Sequence, residues 1–193
     1  RMIESLDQLY VDLQRIVALA SGVSEDRVIL ADQGRPPPEP AGTLYATYNP
    51  VIVRAYGQPR SERELVDATE DFNESLLGAD WQDFEETTIS QAELLVSCNF
   101  MNEGARDAAW RMHNANHRWP IQEALWVADL GWRYCSEVRN LTGLYQAGAQ
   151  PRYQTDWNVY AEMAVTDSVL RAAGFSYTVE DKAGNTIASG SQP

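Results

Sequence analysis

Apolar residues open the chain at spacings of three and four. Ile3, Leu6, Tyr10, Leu13, Val17 and Ala20 fall on one side of a helical coil, so this segment predicts an amphipathic helix with Gly22 as its stop. Val28, Ile29 and Leu30 predict a short buried strand. The segment Gln33 to Pro40 contains Pro36, Pro37, Pro38 and Pro40, and it reads as a stiff, extended surface connector. Proline can join neither a helix interior nor a central ladder. Leu44–Tyr48 and Val51–Tyr56 predict two strands on either side of Asn49-Pro50. Over 61–86, Leu65, Thr69, Phe72 and Leu76 keep helical spacing, which predicts a short solvated helix and a loop.

The period then changes. Ala92, Leu94, Val96, Cys98 and Phe100 alternate with Gln91, Glu93, Ser97 and Asn99, so residues 89–101 predict a half-buried strand. Ala105, Ala108, Ala109 and Met112 line one stripe of a helix over 105–118. Pro120 suits the first turn of a second helix running to Asp129, with Gly131 ending it. Trp132, Tyr134 and Val138 open another strand, which places Cys135 on its other, solvent-facing side. Residues 141–156 have no period and predict a long loop. Trp157, Val159, Ala161, Met163 and Val165 give a clean alternation, and Phe175, Tyr177 and Val179 repeat it. A turn over 181–185 and a mobile Gly/Ser tail complete the pattern. The order of elements predicts an α+β fold: a twisted, mostly antiparallel sheet with helices packed on one face.

Composition narrows the function classes. The chain has 193 residues with 44% apolar and 22% charged, which suits one globular domain spanning 1–193. The acidic stretch 61–86 and the loop 141–156 then read as insertions in it. No apolar run is long enough for a membrane span. No charged stretch leads into an apolar one at the start of the segment, which argues against a secretory signal. Fifteen basic residues stand against 28 acidic ones, for a net charge of −13. That balance argues against a sequence-independent nucleic-acid binder, which needs clustered positive charge. Ten carboxylates against Arg63 alone put most of the excess in 61–86. Lys182 is the only lysine, and the other 14 basic residues are arginine, the residue better suited to interfaces.

Candidate chemistry is sparse. His113 and His117 are spaced to share a helix face and a metal ion, but Asn114 stands where a metalloprotease carries its glutamate base. Two half-exposed helix histidines are the better reading, and a small metal-dependent hydrolase is the weakest alternative. Glu85-Glu86 lies in a polar run with nothing to raise a pKa. Cys98 reads as core, and neither it nor Cys135 has a histidine partner, a C-x-x-C spacing or a disulfide framework. That usage fits a reduced, cytosolic chain. No catalytic residue, metal or cofactor is expected, so the chain reads as no enzyme. Six tryptophans, at 81, 110, 119, 126, 132 and 157, divide between core and interface anchors.

The stretch Ser21-Gly22-Val23-Ser24-Glu25-Asp26-Arg27-Val28-Ile29-Leu30, followed by Gln33-Gly34-Arg35-Pro36, resembles the opening of the tailed-bacteriophage neck and tail terminator family. Those proteins begin with an amphipathic helix, an Asp-Arg-Val-Ile strand and an Arg-Pro connector. The later order of elements is similar too. The resemblance implies a virion structural protein of the neck, assembled in the host cytoplasm. It implies a homo-oligomeric ring, taken as a hexamer, that caps the tail tube protein and meets the head connector. Genome DNA would pass through without specific binding, and no membrane is involved. A head-completion or stopper protein one ring higher is the alternative within assembly. Under the ring reading, Arg35, Pro36, Pro37 and Pro38 are candidates for an arm over the next subunit. Tyr145, Arg152 and Tyr153 are candidates for a hook onto the tube. Glu70, Asp71 and Glu74 are candidates for an acidic lumen that repels DNA phosphates within a Debye length of about 8 Å.

Overall fold

The computed structural model describes residues 3, 5–31, 42–67, 82–145, 148–169, 175–180, 182, 184 and 186–192. The first helix, α1, spans Leu6–Ser21. The Ser5 hydroxyl accepts the Asp7 amide at 3.2 Å, satisfying one of the four free donors of the first turn. Gly22 closes the helix at φ 79° and donates its amide to the Ala18 carbonyl at 2.8 Å. Leu13, Val17 and Ala20 of the predicted stripe are buried, with Leu9 and Ile16 beside them, whereas Leu6 in the first turn is exposed. Ile3 departs from the expectation. It precedes the Ser5 cap, stays extended and forms a parallel bridge to Met163, with its amide donating to the Glu162 carbonyl at 3.0 Å.

The strands are β1 (Val28–Leu30), β2 (Tyr45–Asp67), β3 (Gln82–Met101), β4 (Leu130–Cys135), β5 (Arg139–Asn140), β6 (Gly143–Tyr145), β7 (Gly148–Gln150), β8 (Arg152–Val169), β9 (Phe175–Glu180) and β10 (Thr186–Gln192). Among the described residues, the other α-helices are α2 (Ala105–His113) and α3 (Trp119–Val127). The main sheet has the order β1-β2-β3-β8-β4, with β5 also paired to β8. The β1–β2 pair is parallel, and β4 and β5 run antiparallel to β8. This mixed sheet with helices is the expected α+β class. The chain divides into two compact units, Arg1–Pro59 with Ile89–Ala164, and Arg60–Thr88 with Val165–Pro193.

The first unit holds the core. Leu94, Val96, Cys98 and Phe100 of β3 and Trp157, Val159 and Ala161 of β8 point to one face. There they meet Leu9, Leu13 and Ile16 of α1, Ala108, Ala109 and Met112 of α2, and Ile121 and Leu125 of α3. Trp132 packs on Trp157 with ring centroids 4.9 Å apart. Each such side chain contributes about 1.5–3 kcal/mol by leaving water. Tyr48 donates its hydroxyl to the Tyr10 carbonyl at 3.0 Å, and burial pushes its pKa up to about 12.

Several sequence expectations need correction. The two strands around Asn49-Pro50 are one strand, β2. Proline is tolerated there because β1 pairs only Ala46, Thr47 and Tyr48, so Pro50 lies past the last partner on that side. The helix expected over 61–86 is absent at Leu65, which sits in β2. In the second unit Arg63 and Glu86 pair at 3.2 Å, and β2–β3 pairing overrides the helical spacing. The first of the middle helices ends at His113, five residues short of the expected stop. The second ends at Val127, and the left-handed turn after it is made by Asp129 at φ 51°. Gly131 lies instead within β4, where a Cβ would meet the Tyr160 side chain at 3.4 Å. The long loop over 141–156 is the β6–β7 hairpin and the start of β8. The tail is a strand, with β10 paired antiparallel to β9 within the second unit.

Candidate assembly interface

The face of the main sheet opposite the helices is polar, and it is where charged side chains converge. Strand alternation puts Glu93, Ser97 and Asn99 of β3 there beside Gln154, Asp156, Asn158 and Tyr160 of β8. Glu93 is almost fully buried although it lies on the face opposite the helical core. Its carboxylate accepts Arg54 Nε from β2 at 2.9 Å and is also paired to Arg133 from β4. Arg133 lies 5.4 Å from the Tyr134 ring centroid and 5.7 Å from that of Tyr160. Tyr160 in turn packs on Tyr56 at 5.0 Å. Desolvation, with Tyr160 and Glu162 nearby, holds the Tyr56 hydroxyl above its ordinary pKa.

A second cluster centres on Asp156. Ser97 donates to its carboxylate at 2.8 Å and Gln154 Nε2 at 3.2 Å, while Arg139 of β5 pairs with its other oxygen. Ser136 anchors the backbone beside it, donating its amide to the Asp156 carbonyl and accepting the Asp156 amide, both at 2.8 Å. At the end of the face Arg152 donates Nε and Nη2 to Asn99 Oδ1 at 3.2 and 2.9 Å. Arg152 also opposes the rise that burial gives the Tyr45 pKa. Four arginines thus lie on one face of a chain of net charge −13, fixed by carboxylates and amides. Such a surface offers planar hydrogen-bonding groups to a protein partner.

The model of the phage neck terminator protein family matches residues 7–182. The chain belongs to that family. Its role is structural, in the neck of the virion. A search of curated proteins returned no significant match. In this neck terminator, Asp26 and Arg27 form the short 3-10 turn Glu25–Arg27, and Val28 and Ile29 enter β1 directly. The local order expected from the sequence therefore holds over that stretch.

The candidate residues are scattered. Arg35, Pro36, Pro37, Pro38, Glu70, Asp71 and Glu74 lie outside the described residues. Tyr145 ends β6, where its backbone pairs with Gly148. Arg152 is on the polar face, whereas Tyr153 packs against the core on the other face, so strand alternation separates the two. His113 ends α2 with Nδ1 2.8 Å from the Ser136 carbonyl, and His117 lies beyond the helix in a 3-10 turn. The continuous helix that would align them is therefore broken at Asn114. Among the described residues, no three His, Cys, Asp or Glu side chains are placed to hold a metal ion. No helix among them is long and apolar enough to cross a membrane.

Cys98 is core, as expected, and burial raises its pKa well above the ordinary value. Cys135 is a correction: it turns toward the core, and burial pushes its pKa up to about 11. The cause is a register shift between Trp132 and Tyr134, where the extra residue Arg133 reverses the alternation. Trp157 is fully buried and Trp132 is packed against the core, while Trp110, Trp119 and Trp126 are exposed. Sequence reasoning placed Glu93 on the polar face but missed Arg54, Arg133, Arg139 and Asp156. Alternation does not mark all of them: Arg54 shares the parity of buried Ala46 and Tyr48, and Arg133 is the extra residue of β4, so only the folded sheet brings both to Glu93.

Proposed function

We infer that this neck protein is a ring-forming tail terminator. Six copies cap the tail tube and join it to the head connector, and genome DNA passes through the ring. The protein works by shape rather than catalysis, and the ring assembles in the host cytoplasm before joining the virion. The family match over residues 7–182 carries the reading. A sheet that ends on two unlike strands, β1 and β4, supports it, because a closed ring joins two different patches of one chain. The acidic excess also supports it. A lumen carrying Glu70, Asp71 and Glu74 repels phosphate, whereas a basic one would hold DNA by counterion release. The connector at Arg35–Pro38 serves as an arm over the neighbour, and Tyr145 with Arg152 meets the tube, without Tyr153, which packs against the core.

Electron microscopy of particles lacking this chain tests the proposal. Tails of irregular length, or heads and tails left unjoined, are expected. Joined particles with tails of normal length would overturn the reading. Lysine at 70, 71 and 74 slows DNA ejection if these residues face the channel, and unchanged kinetics would remove them from it.

A further inference from the structure

Two outward stripes on the helical layer match in chemistry. On α3, Trp119, Glu123 and Trp126 are separated by four and three residues, so they lie on one side of the helix, and all three are exposed. Trp119 keeps 78% of its surface in solvent and Trp126 keeps 83%, with exposed Val127 alongside. On α1, Val11, Arg15 and Leu19 follow one another at four-residue intervals, again all exposed. One stripe reads apolar, acid, apolar, and the other apolar, base, apolar. The inner sides of both helices already supply the core through Leu13, Ile16, Ile121 and Leu125. Neither stripe is needed to fold the unit that carries it. Among the described residues, no ion pair involves Arg15 or Glu123.

We propose that the α3 stripe of one copy docks on the α1 stripe of a second copy. Trp119 and Trp126 cover Val11 and Leu19, and Glu123 pairs with Arg15. Charge complementarity selects this occupant. Copies of net charge −13 repel at long range, so contact favours a place where opposite charges meet between apolar anchors. A tryptophan buries about 150–250 Å², so two that are about four-fifths exposed offer about 240–400 Å², between a third and a half of the roughly 800 Å² per partner in a stable interface, as the anchors of a larger contact. The contact joins unlike patches, which is the kind of contact a closed ring requires. It rests on the ring reading above and names the surfaces that close it.

The test uses the full chain, with self-association read by sedimentation across a dilution series. Trp119→Ala/Trp126→Ala, Arg15→Glu and Glu123→Arg each raise the midpoint concentration about tenfold or more, as loss of a hot spot does. The swap Arg15→Glu/Glu123→Arg returns it to within about threefold of the parent, the signature of a direct pair. Circular dichroism confirms that these exposed positions leave the fold intact. For association that occurs only in particles, Arg15→Cys copies and Glu123→Cys copies are mixed before assembly. They form a cross-linked dimer together and none separately. Unchanged association of the tryptophan variant, failure of the swap to rescue, or no mixed cross-link overturns the proposal. A tryptophan variant that self-associates normally but leaves the particle overturns it in favour of another virion protein on this stripe, and the ring stands. A parent chain present as a single copy in the neck overturns the ring itself.

Discussion

Replacing Glu93 with alanine tests whether the polar face is held by one buried carboxylate. The Glu93 side chain keeps 5% of its surface in solvent, whereas Arg133 keeps 34% and Arg54 keeps 61%. Removal leaves two guanidinium groups without their acceptor. Arg54 returns to water, so its share is that of an exposed pair, about 0–1 kcal/mol. Arg133 is held over two tyrosine rings and loses a charge-assisted bond of about 1.5–3 kcal/mol. The 3–5 kcal/mol or so of a fully buried broken pair is not reached, because both arginines touch solvent. The expected cost is therefore about 2–3 kcal/mol, or a fall in Tm of about 4–12 °C for a chain of this size. Urea unfolding and calorimetry of Glu93→Ala, with Arg54→Ala as the exposed control, read it. A cost below about 0.5 kcal/mol, or an equal cost for the two variants, would refute the account of Glu93 as the organiser of this face.

Two further outcomes follow from the same geometry. Burial raises the folded pKa of Cys135 from 9.0 to about 11 and that of Tyr48 from 10.0 to about 12. Both groups are held neutral, so their contribution is complete below the ordinary values and disappears as pH rises through the folded ones. Urea unfolding should show stability falling between about pH 9 and 12, less steeply in Cys135→Ala, and a rise over that window would contradict the burial of both groups. Gly22→Ala forces a left-handed φ of 79° on a residue with a Cβ, which also meets the Arg111 guanidinium at 2.8 Å. The arginine can swing away, so the backbone penalty of about 1–2 kcal/mol dominates. An alanine variant as stable as the parent in denaturant would show that α1 ends in another way.

Periodicity alone determined most of α1, the inner face of β3, that of β8 as far as Ala161, and the α+β class, because each rests on neighbours within one element; past Ala161 the alternation fails, with Ala164 buried and Val165 exposed. Leu13, Val96 and Trp157 are buried where spacing put them. The family was legible for a similar reason: the Asp26-Arg27-Val28-Ile29 run is local, and it forms a turn entering a strand. Tertiary structure decided the rest. The β2–β3 pairing turned Leu65 from helix to strand, and the end of β1 let Pro50 remain in a ladder. The extra residue at Arg133 reversed Cys135 and brought the arginine over Glu93. Arg54, Glu93 and Arg133 come from three strands whose order no local pattern encodes. A single strand's alternation tells which side faces away from the core, but only the sheet's order decides which charges meet there.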